Sequence, residues 1–152
     1  IVQTGMGWVA GPRLVSGTAN AGGLGILASA TMSFEELEQA ILKVKSRTDQ
    51  PFGVNLRADA ADAPARCDLL IKHGVKVASF ALAPKQDQIK KLKDHGIVVM
   101  PSIGAAKHAV KVAGWVNRRW GDHSAFRFEA LMIGHPFSVS ALWCAASASG
   151  VC

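Results

Sequence analysis

Five short apolar runs, beginning at Ile1, Leu24, Pro51, Val75 and Ile97, recur along the chain at intervals of 23, 27, 24 and 22 residues. Amphipathic stretches fill the gaps between them. One strand, one helix and two short connections occupy an interval of this size, so the spacing predicts repeated β/α units with parallel strands. Such units close into a barrel or spread into a doubly wound sheet, and periodicity alone does not separate the two.

Local signals mark the ends of each unit. IVQTGM (Ile1 to Met6) is a strand, and the chain reads as one that starts inside it. A helix from Pro12 to Ala21 follows, with proline suited to the helix start and Gly22 to its stop. After the strand Leu24 to Ser29, Ser33 and Glu36 form an S-x-x-E capping box, and Leu37, Ile41, Leu42 and Val44 supply an apolar face to a helix ending near Thr48. Pro51 to Ala58 is the third strand, Ala63 to His73 the next helix with Gly74 behind it, and Val75 to Leu82 the fourth strand. Past Pro84 a helix carries Ile89 and Leu92 on its apolar side and Lys85, Lys90, Lys91 and Lys93 on its wet side, as far as Gly96. Ile97 to Gly104 is the fifth strand, and Ala105 to Gly114 a further helix.

Composition narrows the class. The 152 residues are 49% hydrophobic and 18% charged, enough to bury a core and unlike a disordered chain. Fifteen glycines and six prolines show no collagen period, and no apolar run reaches the ~18 residues of a membrane span. Three cysteines, Cys67, Cys144 and Cys152, with no CxxC pair or zinc spacing, suggest a reduced, cytoplasmic protein without a metal site. The net charge of +6 is an argument about encounter and solubility. PKQDQIKKLKDHG lacks interleaved aromatics and reads as a solvated helix face, so neither nucleic acid nor membrane is an expected partner.

The character changes after Gly114. Residues 115–152 hold three of four tryptophans, two of three cysteines and no lysine, whereas the preceding stretch has ten lysines to four arginines. The tail is either a different packing element or sequence not selected for this fold, such as translation past a frameshift. The expected organisation is therefore a barrel-like domain over 1–114 and a divergent tail over 115–152.

Several positions are candidates for chemistry. In GMGWVAGP, Gly5, Gly7 and Gly11 permit close backbone approach to a flat or phosphorylated ligand, although the spacing is not the dinucleotide fingerprint and Pro12 removes an amide. A tight strand-to-helix turn explains them equally. Gly22, Gly23 and Gly25 lie at the other end of the sheet and read as a helix stop and close-packing positions. Asn55 stands near the C-terminal end of an apolar strand, where parallel β/α folds place ligands, and its amide both donates and accepts. Ser79 and Ser102 occupy comparable places. His73 and His95 each precede a glycine at a helix end, where an imidazole meets the last carbonyls. His108, His123 and His135 complete no metal set, and Cys67 beside Asp68 reads as buried and inert.

The order IVQTGMGWVAGPRLVSGTANAGGLGILASATM, PFGVNLR, VASFAL and VVMPSIG resembles the nitronate monooxygenase family, formerly the 2-nitropropane dioxygenases. The resemblance covers residues 1–114 and implies an α/β fold, a partial (β/α)8 TIM barrel of about five β/α units followed by an atypical tail. It implies FMN as cofactor, a small nitronate-like substrate, and oxidation of nitronates or nitroalkanes with oxygen to a carbonyl compound and nitrite. It places Gly5, Met6 and Gly7 against the isoalloxazine ring and makes Asn55 a hydrogen-bond partner of the flavin. The family's later glycine-rich stretch bearing a histidine base has no counterpart in GWVNRRWGDHSAFRFEALMIGHPF, so neither His123 nor His135 takes that role, and no catalytic residue is assigned. Eight units of about 24 residues need roughly 190 residues, more than are present. A catalytically inactive fragment and a small phospho-ligand-binding α/β domain are the alternative readings.

Overall fold

The computed structural model describes residues 1–105 together with 108, 111, 112 and 115. Its elements alternate strictly: β1 (Val2–Gln3), α1 (Pro12–Asn20), β2 (Leu24–Ala28), α2 (Phe34–Lys45), β3 (Gly53–Arg57), α3 (Ala63–Lys72), β4 (Val77–Ala81), α4 (Gln86–Asp94) and β5 (Val98–Pro101). All neighbouring strands are parallel, in the order β1-β2-β3-β4-β5. A doubly wound sheet reverses its order at a switch point, and this one does not. The five strands form half a barrel, which decides the choice that spacing left open.

Strand register divides the sheet into two faces, because successive side chains point to opposite sides. Leu27, Val54 and Ala78 lie in one row with Val99, and Leu56 and Phe80 continue the same face; all are buried under the helices. The other face carries Ile26, Gly53, Val77 and Val98 in one row and Ala28, Asn55, Ser79 and Met100 in the next. Asn55, Ser79 and Met100 are only partly covered.

The helices follow their sequence signals with one informative difference. Ser33 accepts from the Glu36 amide at 3.2 Å while Glu36 accepts from the Ser33 amide at 2.7 Å, so the capping box forms as read. On α2, however, the buried face is Leu37, Ala40, Ile41 and Val44, and Leu42 is exposed. At about 100° per residue Leu42 falls off the stripe that 37, 41 and 44 define. Strands β1 and β5 are shorter than the apolar runs that announced them, because from Thr4 onward and beyond Pro101 the backbone turns into connecting loops. Beyond residue 102 a separate unit begins. In it His108, Lys111, Val112 and Trp115 are helical, and the Lys111 ammonium lies 5.4 Å from the centre of the Trp115 ring.

The layers meet most tightly at Gly25. A Cβ there would stand 2.4 Å from the Val15 carbonyl oxygen and 2.9 Å from its Cα, so α1 lies on β2 backbone to backbone. Gly25→Ala should lower unfolding free energy by about 1–3 kcal/mol in chemical denaturation, since backbone cannot yield as a side chain does. Gly17, exposed on α1 with nothing within 4 Å of its missing Cβ, is the control. Gly17→Ala should stabilise by about 0.5–1 kcal/mol through helix propensity and reduced unfolded-state entropy.

Candidate functional site

A parallel sheet brings all its strand-to-helix loops to one end, and the polar exceptions in the inner face gather there. Asn55 Nδ2 donates to Ser79 Oγ at 3.3 Å, one strand across, and the Asn55 carbonyl accepts from Ser29 Oγ. Gly5 arrives from the loop after β1, and a Cβ on it would stand 2.6 Å from Asn55 Cβ and 3.6 Å from Ala28 Cα. The structure thus brings Gly5 and Asn55 together, and glycine is what permits the approach. Ser79 belongs to the same cluster. Ser102 is exposed and only extends the ladder, its amide donating to the Phe80 carbonyl at 3.0 Å.

Gln3, not singled out from sequence, pairs with Gly25 in phase with Leu27 and Val54, so its side chain belongs to the helix-facing side of the sheet and not to the Asn55 row. Its Nε2 donates to the Ile26 carbonyl at 3.3 Å and to the Thr4 carbonyl, while Oε1 is buried with no hydrogen-bond partner among the described residues. A buried acceptor left unpaired costs about 1–3 kcal/mol. Its signal was a long polar side chain inside IVQT. The resemblance implies FMN, and the residues present fit such a group. Ala28, Ser79 and Gly5 would offer low relief to a flat ring, and the half-buried Asn55 amide would be the group to meet its polar edge.

The loop after β1 differs from the expected glycine turn. None of Gly5, Gly7 and Gly11 has a positive φ; Trp8 does, at 58°. For a bulky residue this left-handed conformation costs about 1–2 kcal/mol. Val9 and Ala10 amides donate to the Met6 carbonyl at 3.2 and 2.8 Å, the Gly11 amide donates to the Val9 carbonyl at 2.8 Å, and Ala28 N–H donates to the Ala10 carbonyl at 3.0 Å. Met6 is partly exposed, Trp8 is 90% exposed, and a Cβ on Gly7 would meet Thr31 Cγ2 at an ordinary 3.4 Å. The loop is held at both ends with its indole outward.

Arg66 holds the next loop. Its guanidinium donates to the Asp62 carboxylate at 2.7 Å, the Ser29 carbonyl at 2.9 Å and the Met32 carbonyl at 2.8 Å, and little of the side chain reaches solvent. This ties the β2-to-α2 connection to α3, and the Asp62 and Arg66 spacing of i,i+4 was its only sequence signal. Arg57 and Asp59 form an exposed two-pronged pair on the following loop, where the guanidinium holds the Asp59 carboxyl below its usual range.

Among the described residues, the histidines take no part in the site. His95 Nδ1 lies 2.8 Å from the Lys91 carbonyl at the end of α4, as its position suggested. His73 instead turns to α2, with Nε2 2.9 Å from Glu38, which Lys72 also meets at 2.7 Å; hydrogen bonds from Lys72 and then His73 depress the Glu38 carboxyl. His123 and His135 lie outside the described residues, and His108 is exposed. No group of three metal-ligating side chains occurs among the described residues.

A cavity of about 430 Å³ opens between α3 and α4, lined by Ala58, Pro64, Cys67, Lys85 and Lys91 among others, and shares no residue with the Asn55 cluster. Cys67 is buried there, and desolvation pushes its thiol up to about 11. With Cys144 and Cys152 replaced by serine, the native chain should leave Cys67 unlabelled by a thiol reagent at pH 8 while the denatured chain reacts. Because the folded thiol titrates above the unfolded one, its stabilisation is complete below pH 9.0 and disappears as pH rises toward 11. Stability should therefore fall less steeply over that window in Cys67→Ala, measured by denaturant midpoint.

Residues 1–68 match the family model described as nitronate monooxygenase. The (3aS,4S,5R,7aS)-5-hydroxy-7a-methyl-1-oxo-octahydro-1H-indene-4-carboxyl-CoA dehydrogenase of Rhodococcus jostii (strain RHA1) is 76% identical over 115 residues, covering 76% of this chain and 33% of that protein. A probable nitronate monooxygenase of Staphylococcus saprophyticus is 29% identical over 146 residues, covering 72% of this chain and 41% of that protein. The structure of FabK from Thermotoga maritima superposes with a TM-score of 0.71 at 32% identity, over 75% of this chain and 37% of that one. The chain thus spans between about a third and two fifths of these relatives. In its N-terminal portion, the chain belongs to the nitronate monooxygenase family.

Proposed function

We propose that this chain is the N-terminal part of an FMN-dependent dehydrogenase acting on a bicyclic carboxyl-CoA thioester. The observation that carries the reading is the 76% identity to the Rhodococcus dehydrogenase, far above the 29% shared with the staphylococcal nitronate monooxygenase. The Asn55, Ser79 and Gly5 cluster supports a flavin at the mouth. When bound, FMN supplies a two-electron acceptor. The chain's own residues bind and orient it. Asn55 meets the polar edge of the ring, Ser79 fixes the Asn55 amide, and Arg66 keeps the neighbouring loop in place. A second reading, oxidation of nitronates or nitroalkanes with oxygen, is favoured by the family match over residues 1–68.

The two readings separate in one experiment. The protein that carries this segment, loaded with FMN, is mixed without oxygen with the bicyclic thioester or with an alkyl nitronate, and flavin absorbance is followed. Bleaching by the thioester is expected. Bleaching by the nitronate alone moves the assignment to the second reading, and bleaching by neither removes both.

Asn55 provides a test that does not need turnover. Asn55→Ala leaves a flavin polar atom unpaired in a partly dry site, at about 1–3 kcal/mol. At about 1.4 kcal/mol per decade, FMN affinity should fall roughly five- to 150-fold in a fluorescence titration, with a cooperative melt retained. An unchanged affinity in a folded variant would remove Asn55 from the site.

A further inference from the structure

We infer that Trp8 grips the apolar skeleton of the substrate and so determines specificity for substrates with a bulky hydrocarbon portion; the inference rests on the oxidoreductase reading above. Trp8 is 90% exposed, on the loop that follows β1 at the ligand end of the sheet. Its φ of 58° is a conformation that glycine or asparagine adopts freely and a bulky side chain does not. Gly5 and Gly7 stand within three residues, yet neither occupies the strained position. The strain is held by the hydrogen bonds from Val9, Ala10 and Gly11 and by the tie from Ala28 to Ala10. Strained, exposed residues at a ligand mouth are characteristic of ligand clamps.

A second residue repeats the pattern. Leu82, on the loop after β4, has a φ of 74° and is 55% exposed. Among the described residues these two are the non-glycines with positive φ, and both are apolar, exposed and on strand-to-helix loops. The relative's substrate, by its name, joins a methyl-bearing bicyclic carbon skeleton to a thioester. An indole offers such a skeleton a large, rigid apolar face at little cost in side-chain entropy. Trp8 lies three residues from Gly5, which packs on Asn55, so the grip would act close to the candidate flavin seat.

The test compares Trp8→Gly, which relieves the backbone and removes the indole, with Trp8→Phe, which keeps an apolar ring, in the FMN-loaded protein that carries this segment. Trp8→Gly should raise KM for the bicyclic thioester about 10- to 100-fold, with kcat within about threefold, FMN Kd within about twofold and Tm not lowered. Trp8→Phe should recover KM to within about threefold of the parent. An unchanged KM overturns the inference, as does a parallel rise in FMN Kd, which would make Trp8 part of the cofactor's seat. If the parent turns over nitronates and not the thioester, the functional reading fails while the inference is still judged. A series of alkyl nitronates should then show KM falling with chain length in the parent and flat in Trp8→Gly, and an equal slope in both overturns it. A parent that acts on neither substrate overturns both.

Discussion

Everything in this half-barrel follows from a sheet whose two faces meet different surroundings. Leu27, Val54, Leu56, Ala78, Phe80 and Val99 are sealed by helices, and each fully buried large side chain among them contributes about 1.5–3 kcal/mol. With one face committed to the core, the strands are free to carry groups on the other that a core would not tolerate. Asn55 and Ser79 stand in that row, one residue out of phase with Val54 and Ala78. A shift of register by a single residue would bury the amide and expose the valine.

The connections add precision to that division. Gly25 lets α1 settle on β2 without an intervening side chain, which fixes where the loop between β1 and α1 begins its descent. Gly5 then brings that loop onto Asn55, and Arg66 spans from α3 to two carbonyls of the neighbouring loop. These contacts come from glycine, an amide and a guanidinium, none of which adds much hydrophobic burial. They act through close approach and hydrogen bonds rather than through buried apolar area.

How much of this was legible in the chain follows from how local each signal is. Apolar periodicity, the Ser33 and Glu36 box, Pro12 and Gly22 act within a few residues, and the elements they announced are present. Strand order is a relation between distant segments, so 23 to 27 residues of spacing suited two folds until the pairing was seen. Asn55 was visible because an amide interrupts an apolar strand. Gln3 was equally polar but sat in a run read for its hydrophobicity, and its unpaired oxygen depends on what surrounds it. The left-handed backbone at Trp8 runs against the intrinsic preference of its residue, with glycines nearby to mislead. His73 was read against its own helix end, yet its partner Glu38 lies 35 residues away.

Sequential strand order also sets the order of assembly. The pairs Val2 with Leu24, Gly53 with Val77 and Val77 with Val98 join segments one β/α unit apart, and no observed pairing reaches further. Each closure constrains a short loop, for which the entropy is modest, and each new strand docks on an edge that the preceding unit has just supplied. Such connectivity lets the sheet be built in the direction in which a ribosome releases the chain. The cluster that joins Gly5 to Asn55 becomes complete only when Ser79 arrives on the fourth strand, so the mouth matures later than the wall that supports it.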